Sequence, residues 1–163
     1  MSVQVGHLTE VFSTPLPAGQ AQARVIEDFR EAMILWDTSE WQWDIGGQTR
    51  SYVTGQAYRH LQTAIMSGLQ QGIVPGGTDR MFGFRVTALG SRTATIVSCD
   101  DGSRYRSLNR QTGRADSKDT VTGPRAYLKE DWHMTLRSGH WAISSFTLAT
   151  YPSPAARPCE PTH

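Results

Sequence analysis

The chain has 163 residues, with 16 basic and 15 acidic side chains and a formal charge of +1. This length suits one domain, and the 38% of apolar residues reaches the ordinary globular range once glycine is added. The nearly neutral charge argues against a nucleic-acid binder, and no apolar run approaches the ~20 residues that a membrane helix requires. We therefore expect a globular domain that binds no nucleic acid and does not insert into a membrane.

The sequence predicts three segments along the chain. Residues 1–19 are expected to form an extended leader, because Pro15 and Pro17 favour extended backbone. Residues 20–150 form a single domain, and residues 151–163 form a proline-rich tail.

Two amphipathic helices are predicted first, over residues 20–37 and 54–71. Apolar residues in each recur at spacings of three and four, which is typical of a helix with one buried face. The buried face of the first helix consists of Val25, Phe29, Met33 and Trp36. The buried face of the second consists of Ala57, Leu61, Ile65 and Leu69.

Near residue 80 the apolar period changes from 3.6 to 2, which predicts strands. The predicted strands cover residues 80–89, 93–100, 105–108, 125–137 and 140–149. A turn is predicted at Asp101-Gly102, and residues 111–122 are predicted to form a polar loop. Helices followed by an antiparallel meander indicate an α+β fold. We expect the helices to pack across the concave side of a curved antiparallel sheet, so that the domain is a cone or roll.

Several short motifs, taken in order, resemble one family. They are Tyr52-Val-Thr-Gly55, Gly72-Ile-Val-Pro-Gly76, Ala94-Thr-Ile-Val-Ser-Cys99-Asp100, Thr112-Gly113 and Arg137-Ser-Gly-His-Trp141. This order resembles the nuclear-transport-factor-two-like, or SnoaL-like, proteins with a cystatin-like cone, in particular an actinobacterial branch that is often exported or lipid-anchored. The resemblance implies the cone fold, which hosts enzymes, transport factors and secretion-apparatus domains alike.

The two cysteines, Cys99 and Cys159, show no metal-binding spacing and no histidine partner. They therefore predict no metal site. A disulfide between them would imply export, yet residues 1–10 show no signal peptide. Either the mature chain has lost its signal, or both cysteines are reduced thiols in the cytosol. In the branch that the chain resembles, cysteines recur at both places, which favours the disulfide and an extracytoplasmic location.

Glu130 is the strongest candidate for a catalytic residue. It shares the strand face of Leu128 and Trp132, so the alternation places a carboxylate towards the interior or the mouth of the cone. Desolvation raises the pKa of a carboxyl group, which suits a general acid or base. The alternative is a Glu130 side chain at a β-bulge, at the rim or paired with arginine. His60 and Tyr58, on the second helix, are the candidate partners in an enzyme.

An aromatic group is the candidate ligand pocket. Its members are Trp36, Trp41, Tyr52, Phe84 and Trp132. Aromatic side chains at the mouth of a cone suit a small apolar ligand. The alternative is ordinary packing of helix ends over the sheet.

Polar residues elsewhere have simpler interpretations. His133 lies on the strand face opposite to Glu130, which predicts either a solvated face or a surface for a homodimer through the sheet. Asp100 and Asp101 precede a glycine and predict a turn, with cation binding as the alternative. No nucleophile elbow and no phosphate-binding loop is present, and no cofactor is predicted.

We therefore expect a cone-fold domain that binds a small apolar ligand or another protein, and that is exported or associated with the cell envelope. A SnoaL-like cyclase, isomerase or dehydratase that uses Glu130 is the first alternative. An assembly domain of a secretion or conjugation system is the second.

Overall fold

The computed structural model describes residues 1–115 and 126–159. Within these residues, three α-helices pack on one six-stranded sheet whose strands follow the chain order β1 to β6. The helices are α1 (Gln20–Gln42), α2 (Gly47–Tyr52) and α3 (Gly55–Gln71). The strands are β1 (Ser2–Val5), β2 (His7–Phe12), β3 (Ile73–Leu89), β4 (Thr93–Asn109), β5 (Tyr127–Arg137) and β6 (His140–Thr150). A 3-10 helix covers Pro154–Cys159.

Helices α1 and α3 form where the apolar periodicity predicts them. Val25, Phe29 and Met33 are buried along α1, which continues to Gln42 before Trp43 adopts a left-handed conformation with φ 57°. Helix α3 ends at Gly72, which has φ 69° and accepts this conformation without the strain that a side chain would add. The prediction that Leu69 is buried on α3 is wrong, because its side chain at the last turn is 48% exposed.

The sheet is antiparallel except between β2 and β3. Strands β3 and β4 form a long hairpin that pairs from Ile73 with Asn109 to Leu89 with Ala94. The predicted turn at Asp101-Gly102 is wrong, because β4 continues through both residues. The predicted strand over 105–108 is the far part of this same strand. Pairing along the extended β3 satisfies the backbone of β4 and outweighs the local turn signal.

The N-terminal residues belong to the sheet. Strands β1 and β2 form a hairpin, and β2 lies parallel to β3, with His7 beside Gly76 and Phe12 beside Met81. This hairpin occupies the segment that the prolines predict as an extended leader. The helices lie between β2 and β3 in the chain, and they supply the long crossover that a parallel pair requires.

The helices pack on the inner face of the sheet, and the C-terminal residues pack on its outer face. Helix α1 contacts β3 and β6, and α3 contacts β6, while the 3-10 helix contacts β4, β5 and β6. A disulfide joins Cys99 on β4 to Cys159 at the end of the 3-10 helix, as the resemblance implies. The predicted loop over 111–122 and the tail over 151–163 extend into residues 116–125 and 160–163, which lie outside the described residues.

The fold class predicted from the sequence is confirmed, since helices pack on one side of a curved, mostly antiparallel sheet. None of the helices within residues 1–115 and 126–159 is long and apolar enough to cross a membrane.

Candidate functional site

Six acidic side chains converge between the helices and the inner face of the sheet. We call them the acidic cluster; they are Glu10, Asp37, Glu40, Asp79, Asp100 and Glu130. They come from β2, α1, β3, β4 and β5, so the tertiary fold alone brings them together. Carboxyl groups at this depth are rare in proteins unless they are paired or protonated.

The local periodicity of each element explains why these side chains point inwards. Asp37 follows Phe29 and Met33 at spacings of four, so the helical period that buries those residues also buries Asp37. Asp100 lies two residues after Ser98 on β4, and it therefore shares the inner face. Glu10 likewise alternates with the buried residues Leu8 and Phe12 on β2.

Burial raises the pKa of every carboxyl group in the acidic cluster. It raises the pKa of Glu10 to about 10, helped by the negative charges of Asp37 and Asp79. The pKa of Glu130 rises to about 8 and that of Glu40 to about 7, each mainly through desolvation. Among the described residues, no lysine, arginine or histidine forms an ion pair with the cluster. Protons therefore neutralise much of its charge.

Two pairs of carboxyl groups within the cluster each share a proton. Glu10 is 1% exposed and Asp37 is 8% exposed, and the two side chains are hydrogen-bonded to each other. Asp79 and Asp100 form the second such pair. One oxygen of each of these four carboxyl groups has no other donor among the described residues. Because an ionised carboxylate can only accept, each pair requires a proton between its members.

The shared proton divides the Asp79–Asp100 pair into a base and an acid. The hydrogen bond from Asp100 lowers the pKa of Asp79 against the effect of burial, whereas the same contact raises the pKa of Asp100 further. Negative charge on Glu130 and Glu10 also raises the pKa of Asp100. Asp79 therefore ionises first, and Asp100 keeps the proton.

Glu130 is held by a closed set of hydrogen bonds. Its Oε2 atom accepts from the Ser98 hydroxyl at 3.0 Å and from the Trp132 indole N–H at 3.2 Å. The same indole N–H lies 3.0 Å from the Ser98 Oγ atom. These contacts fix the carboxyl group, which is 6% exposed, on the inner face of β5.

Two cavities reach the acidic cluster. The first, of about 480 Å³, is lined by Asp79, Asp100, Tyr105, Ala126, Leu128 and Thr150, and we call it the Asp100 pocket. The second, of about 250 Å³, includes Glu40, Ser67, Val74, Pro75, Tyr105 and Ser107 in its lining, and we call it the Glu40 cleft. Tyr105 lines both. Burial, together with the surrounding carboxylates, raises the pKa of Tyr105, so its hydroxyl remains a hydrogen-bond donor.

The structure places Glu130 inside the cone but separates it from its predicted partners. His60 is exposed on α3, where its ring packs on Phe146 with centroids 5.0 Å apart. Neither His60 nor Tyr58 forms a hydrogen bond with Glu130 within the part of the chain that the structure describes. The polar neighbours of Glu130 are Ser98 and the acidic cluster instead.

The predicted aromatic pocket is divided among several places. Trp36 and Trp132 donate hydrogen bonds to Glu40 and Glu130, and so they border the acidic cluster. The other three predicted members lie elsewhere: Trp41 packs against His7, Tyr52 stacks on His140, and Phe84 packs against Phe12 and Phe29. None of the five lines the Asp100 pocket or the Glu40 cleft.

The sequence analysis predicts only Glu130 of the acidic cluster as a catalytic residue and misses the other five members. The alternation of β4 carries a signal for Asp100, but the Asp-Gly pair that follows it indicates a turn. Asp37 occupies the next position of the apolar stripe of α1, which is a second signal. Nothing in the sequence pairs Glu10 with Asp37, because that contact joins residues of the second strand and the first helix.

The acidic cluster does not have the geometry of a metal site. Among residues 1–115 and 126–159, no group of three or more histidine, cysteine, aspartate or glutamate side chains could hold a metal ion. The arrangement instead places a carboxylate base (Asp79), a carboxylic acid (Asp100) and a phenol (Tyr105) beside one pocket. Such groups can transfer protons to and from a bound molecule.

Comparison with known proteins identifies the fold. No protein-family model matches the sequence, and no curated protein matches it. Among solved structures, Aln2 from a Streptomyces species is similar with a TM-score of 0.53 and 13% identity, over 83% of this chain and 94% of that one. Kfla4162 from Kribbella flavida has a TM-score of 0.52 and 14% identity, over 83% and 93% of the two chains.

A putative aromatic ring hydroxylase from Novosphingobium aromaticivorans is similar to a comparable degree. Its TM-score is 0.51 with 12% identity, over 78% of this chain and 92% of that one. These likenesses show the fold alone, with helices packed on one side of a curved, mostly antiparallel sheet, as the sequence predicts. A shared fold does not imply a shared activity, so the function of this protein depends on the acidic cluster and its cavities.

Proposed function

We propose that the protein is an enzyme that moves a proton within a small, mostly apolar substrate that carries a carbonyl group. The observation that supports this is the composition of the Asp100 pocket. Asp79, Asp100 and Tyr105 lie together on its wall, and Ala126 and Leu128 supply apolar surface. Its volume of about 480 Å³ suits a small organic molecule.

Each polar group of the pocket has a role that its environment fits. Asp79, the first of its pair to ionise, takes a proton from the carbon next to the substrate carbonyl. The electron pair of that C–H bond moves to form an enol double bond, and the carbonyl oxygen receives the proton of Asp100 or a hydrogen bond from Tyr105. Asp79 then gives its proton to a different carbon, and the enol oxygen returns to Asp100 any proton that it received, which gives the isomer and restores the pair. No oxidant and no cofactor is consumed in this cycle.

Glu130 has a supporting role in this proposal. Above its own pKa of about 8, Glu130 carries a negative charge that raises the pKa of Asp100 and thus helps to keep that group protonated. Its own carboxyl is held by Ser98 and Trp132, and it does not line the Asp100 pocket. We therefore assign to Asp79 and Asp100 the proton transfer that the sequence predicts for Glu130.

The test uses two probes, 3-cyclohexenone and cyclohexanone. The first becomes a conjugated enone when the double bond moves, which absorbance detects. The second exchanges its α-protons for deuterium, which proton NMR detects. We expect Asp79→Asn to lower either rate by about 10²–10⁴-fold, the usual contribution of a general base. Asp131→Asn is the matched control, because Asp131 pairs with Lys129 on the face of β5 opposite to Glu130 and lines neither cavity.

Two results would contradict the enzyme proposal. One is a wild-type protein that accelerates neither reaction, and the other is an Asp79→Asn variant that keeps the wild-type rate. Binding of the probes without turnover would instead support a ligand-binding module. The volume of the Asp100 pocket is compatible with that second candidate, since it exceeds the ~300 Å³ at the lower end of the range of small-molecule sites.

The finer calls from the sequence stay predictions. They are membership of an actinobacterial branch, export or association with the cell envelope, and a homodimer through the sheet face.

A further inference from the structure

The Glu40 cleft is a second cavity with its own lining. It shares Tyr105 with the Asp100 pocket, and no other described residue lines both. Its polar groups come from α1, α3 and β4, and its walls include Val74 and Pro75 on β3. Its volume of about 250 Å³ suits a molecule of a few non-hydrogen atoms.

The polar groups of the cleft favour a ligand that donates hydrogen bonds. They are the carboxyl group of Glu40 and the hydroxyl groups of Ser67, Tyr105 and Ser107. Each of these groups can accept a hydrogen bond. No lysine, arginine or histidine is among the described residues that line the cleft.

Glu40 has one oxygen free for such a ligand. Its Oε1 atom accepts the indole N–H of Trp36 at 3.0 Å, which orients the carboxyl group. The other oxygen, Oε2, accepts no hydrogen bond from the described residues, and it is not among the fully buried oxygens that lack a donor. It differs in this respect from the carboxyl groups of Asp37 and Asp79, each of which is engaged with another acid.

We propose that the Glu40 cleft binds a small primary ammonium group. An ammonium carries three N–H donors on a compact positive charge, which match the Glu40 carboxylate and the hydroxyls of Ser107 and Tyr105. A carboxylate or phosphate ligand of the same size would meet Glu40 and the acidic cluster with like charge. The site goes beyond the proposed proton transfer, which uses the Asp100 pocket.

Binding should strengthen as the pH rises through the neutral range. Burial raises the pKa of Glu40 to about 7 against the hydrogen bond from Trp36 on α1, which lowers it, and the carboxyl group of Asp79 on β3 raises it as well. The charge of Glu40 in turn raises the pKa of Asp37 on α1. Tyr105 on β4 stays neutral, and α3 contributes Ser67 and Gly68, which carry no charge. An ammonium binds the ionised form of Glu40, so its affinity follows the fraction of Glu40 that is ionised.

The experiment is a calorimetric titration of the full chain with n-propylammonium at about pH 8, where the amine is still protonated. Propionate and 1-propanol are the matched probes of opposite and zero charge. We expect measurable binding of n-propylammonium alone, and about tenfold or more weaker binding to Glu40→Gln. Glu31→Gln is the control, because Glu31 is on the same helix and contacts Gln48 outside the cleft.

Either of two outcomes would overturn the proposal: 1-propanol that binds as tightly as n-propylammonium, or a folded Glu40→Gln variant with wild-type affinity. If Glu40→Gln does not fold, Ser107→Ala tests the same site, and it should weaken n-propylammonium several-fold. An unchanged affinity in that variant would equally reject the site. The enone assay depends on Asp79, so failure of one proposal is distinguishable from failure of the other.

Discussion

The space between the helices and the sheet has two ends, built from the same elements with opposite kinds of side chain. Helix α1 places Phe29 and Met33 at one end and Asp37 at the other. Strand β4 places Ile96 at the first end and Asp100 at the second, and β5 runs from Met134 to Glu130 in the same sense. We call these the apolar end and the acidic end. Each of these elements therefore changes from apolar to acidic side chains along its length. The two ends differ in their side chains although the same elements build both.

The two ends make different contributions to the molecule. Burial of a large apolar side chain stabilises the folded state by ~1.5–3 kcal/mol. Burial of an ionised carboxylate destabilises it, so the acidic end folds only because most of its groups take up protons or hydrogen bonds. The apolar end therefore holds the fold, and the acidic end, with its two cavities, is where we place the proposed proton transfer and ammonium binding.

The largest effect should come from a substitution at the apolar end. Phe29 is fully buried and its ring packs against Phe84 and Trp132, with centroids 5.8 and 5.2 Å away. Phe29→Ala leaves a cavity, and we expect the free energy of unfolding to fall by ~3–5 kcal/mol. Denaturant unfolding measures it, with Met66→Ala on the exposed face of α3 as control. A loss below ~1 kcal/mol would mean that the apolar end does not hold the fold.

This division also explains how much of the fold was predictable. The helices and strands of the apolar end follow from periodicity, because buried residues such as Val25, Phe29 and Met33 repeat with the period of their element. The local turn signal at Asp101-Gly102 misleads, because the extended β3 offers β4 a partner; the Asp101 side chain accepts the backbone N–H of Ser103 at 3.1 Å within the strand. Such long-range pairing has no signal in a short window of sequence.

The acidic end was predictable only in part. Glu130 stands out because the alternation of β5 places it on a face with Trp132, and the structure does bury it there. Its neighbours Asp79 and Asp100 lie on other strands. Glu10 lies within residues 1–19, which Pro15 and Pro17 predict to be an extended leader. A carboxyl group gains its function here from a second carboxyl group on a distant element. The apolar periodicity of one helix or strand can show that a single carboxyl group is buried. It cannot show which carboxyl groups of other elements lie beside it.

The next prediction concerns the acidic end and the dependence of the free energy of unfolding on pH. Each raised pKa at the acidic end means that the folded state holds a proton that the unfolded state has already released above its ordinary pKa near 4.5. That stability is complete below the unfolded pKa and is lost as pH rises through the folded pKa, about 7 for Glu40 and about 8 for Glu130. We therefore expect the free energy of unfolding to fall from about pH 5 to about pH 8.

Denaturant titrations at several pH values measure this slope. Glu130→Gln should flatten it, because glutamine does not titrate, while Glu27→Gln on the exposed face of α1 should leave it unchanged. A protein that becomes more stable between these pH values would show that the acidic end is ionised in the folded state, and the proton-sharing pairs would have to be abandoned.

The smallest effect is expected at the most deeply buried member of the acidic cluster. In the Glu10–Asp37 pair the proton lies on Glu10, since the hydrogen bond from Glu10 lowers the pKa of Asp37. Glutamine keeps a donor at that position and the same shape, so Glu10→Gln should change the free energy of unfolding by less than about 1 kcal/mol near pH 6. Glu10→Ala, which removes the donor and leaves a cavity, should cost several times as much. A severe loss in Glu10→Gln would mean that Glu10 is charged in the folded protein and that the acidic end is stabilised by a cation in place of a shared proton.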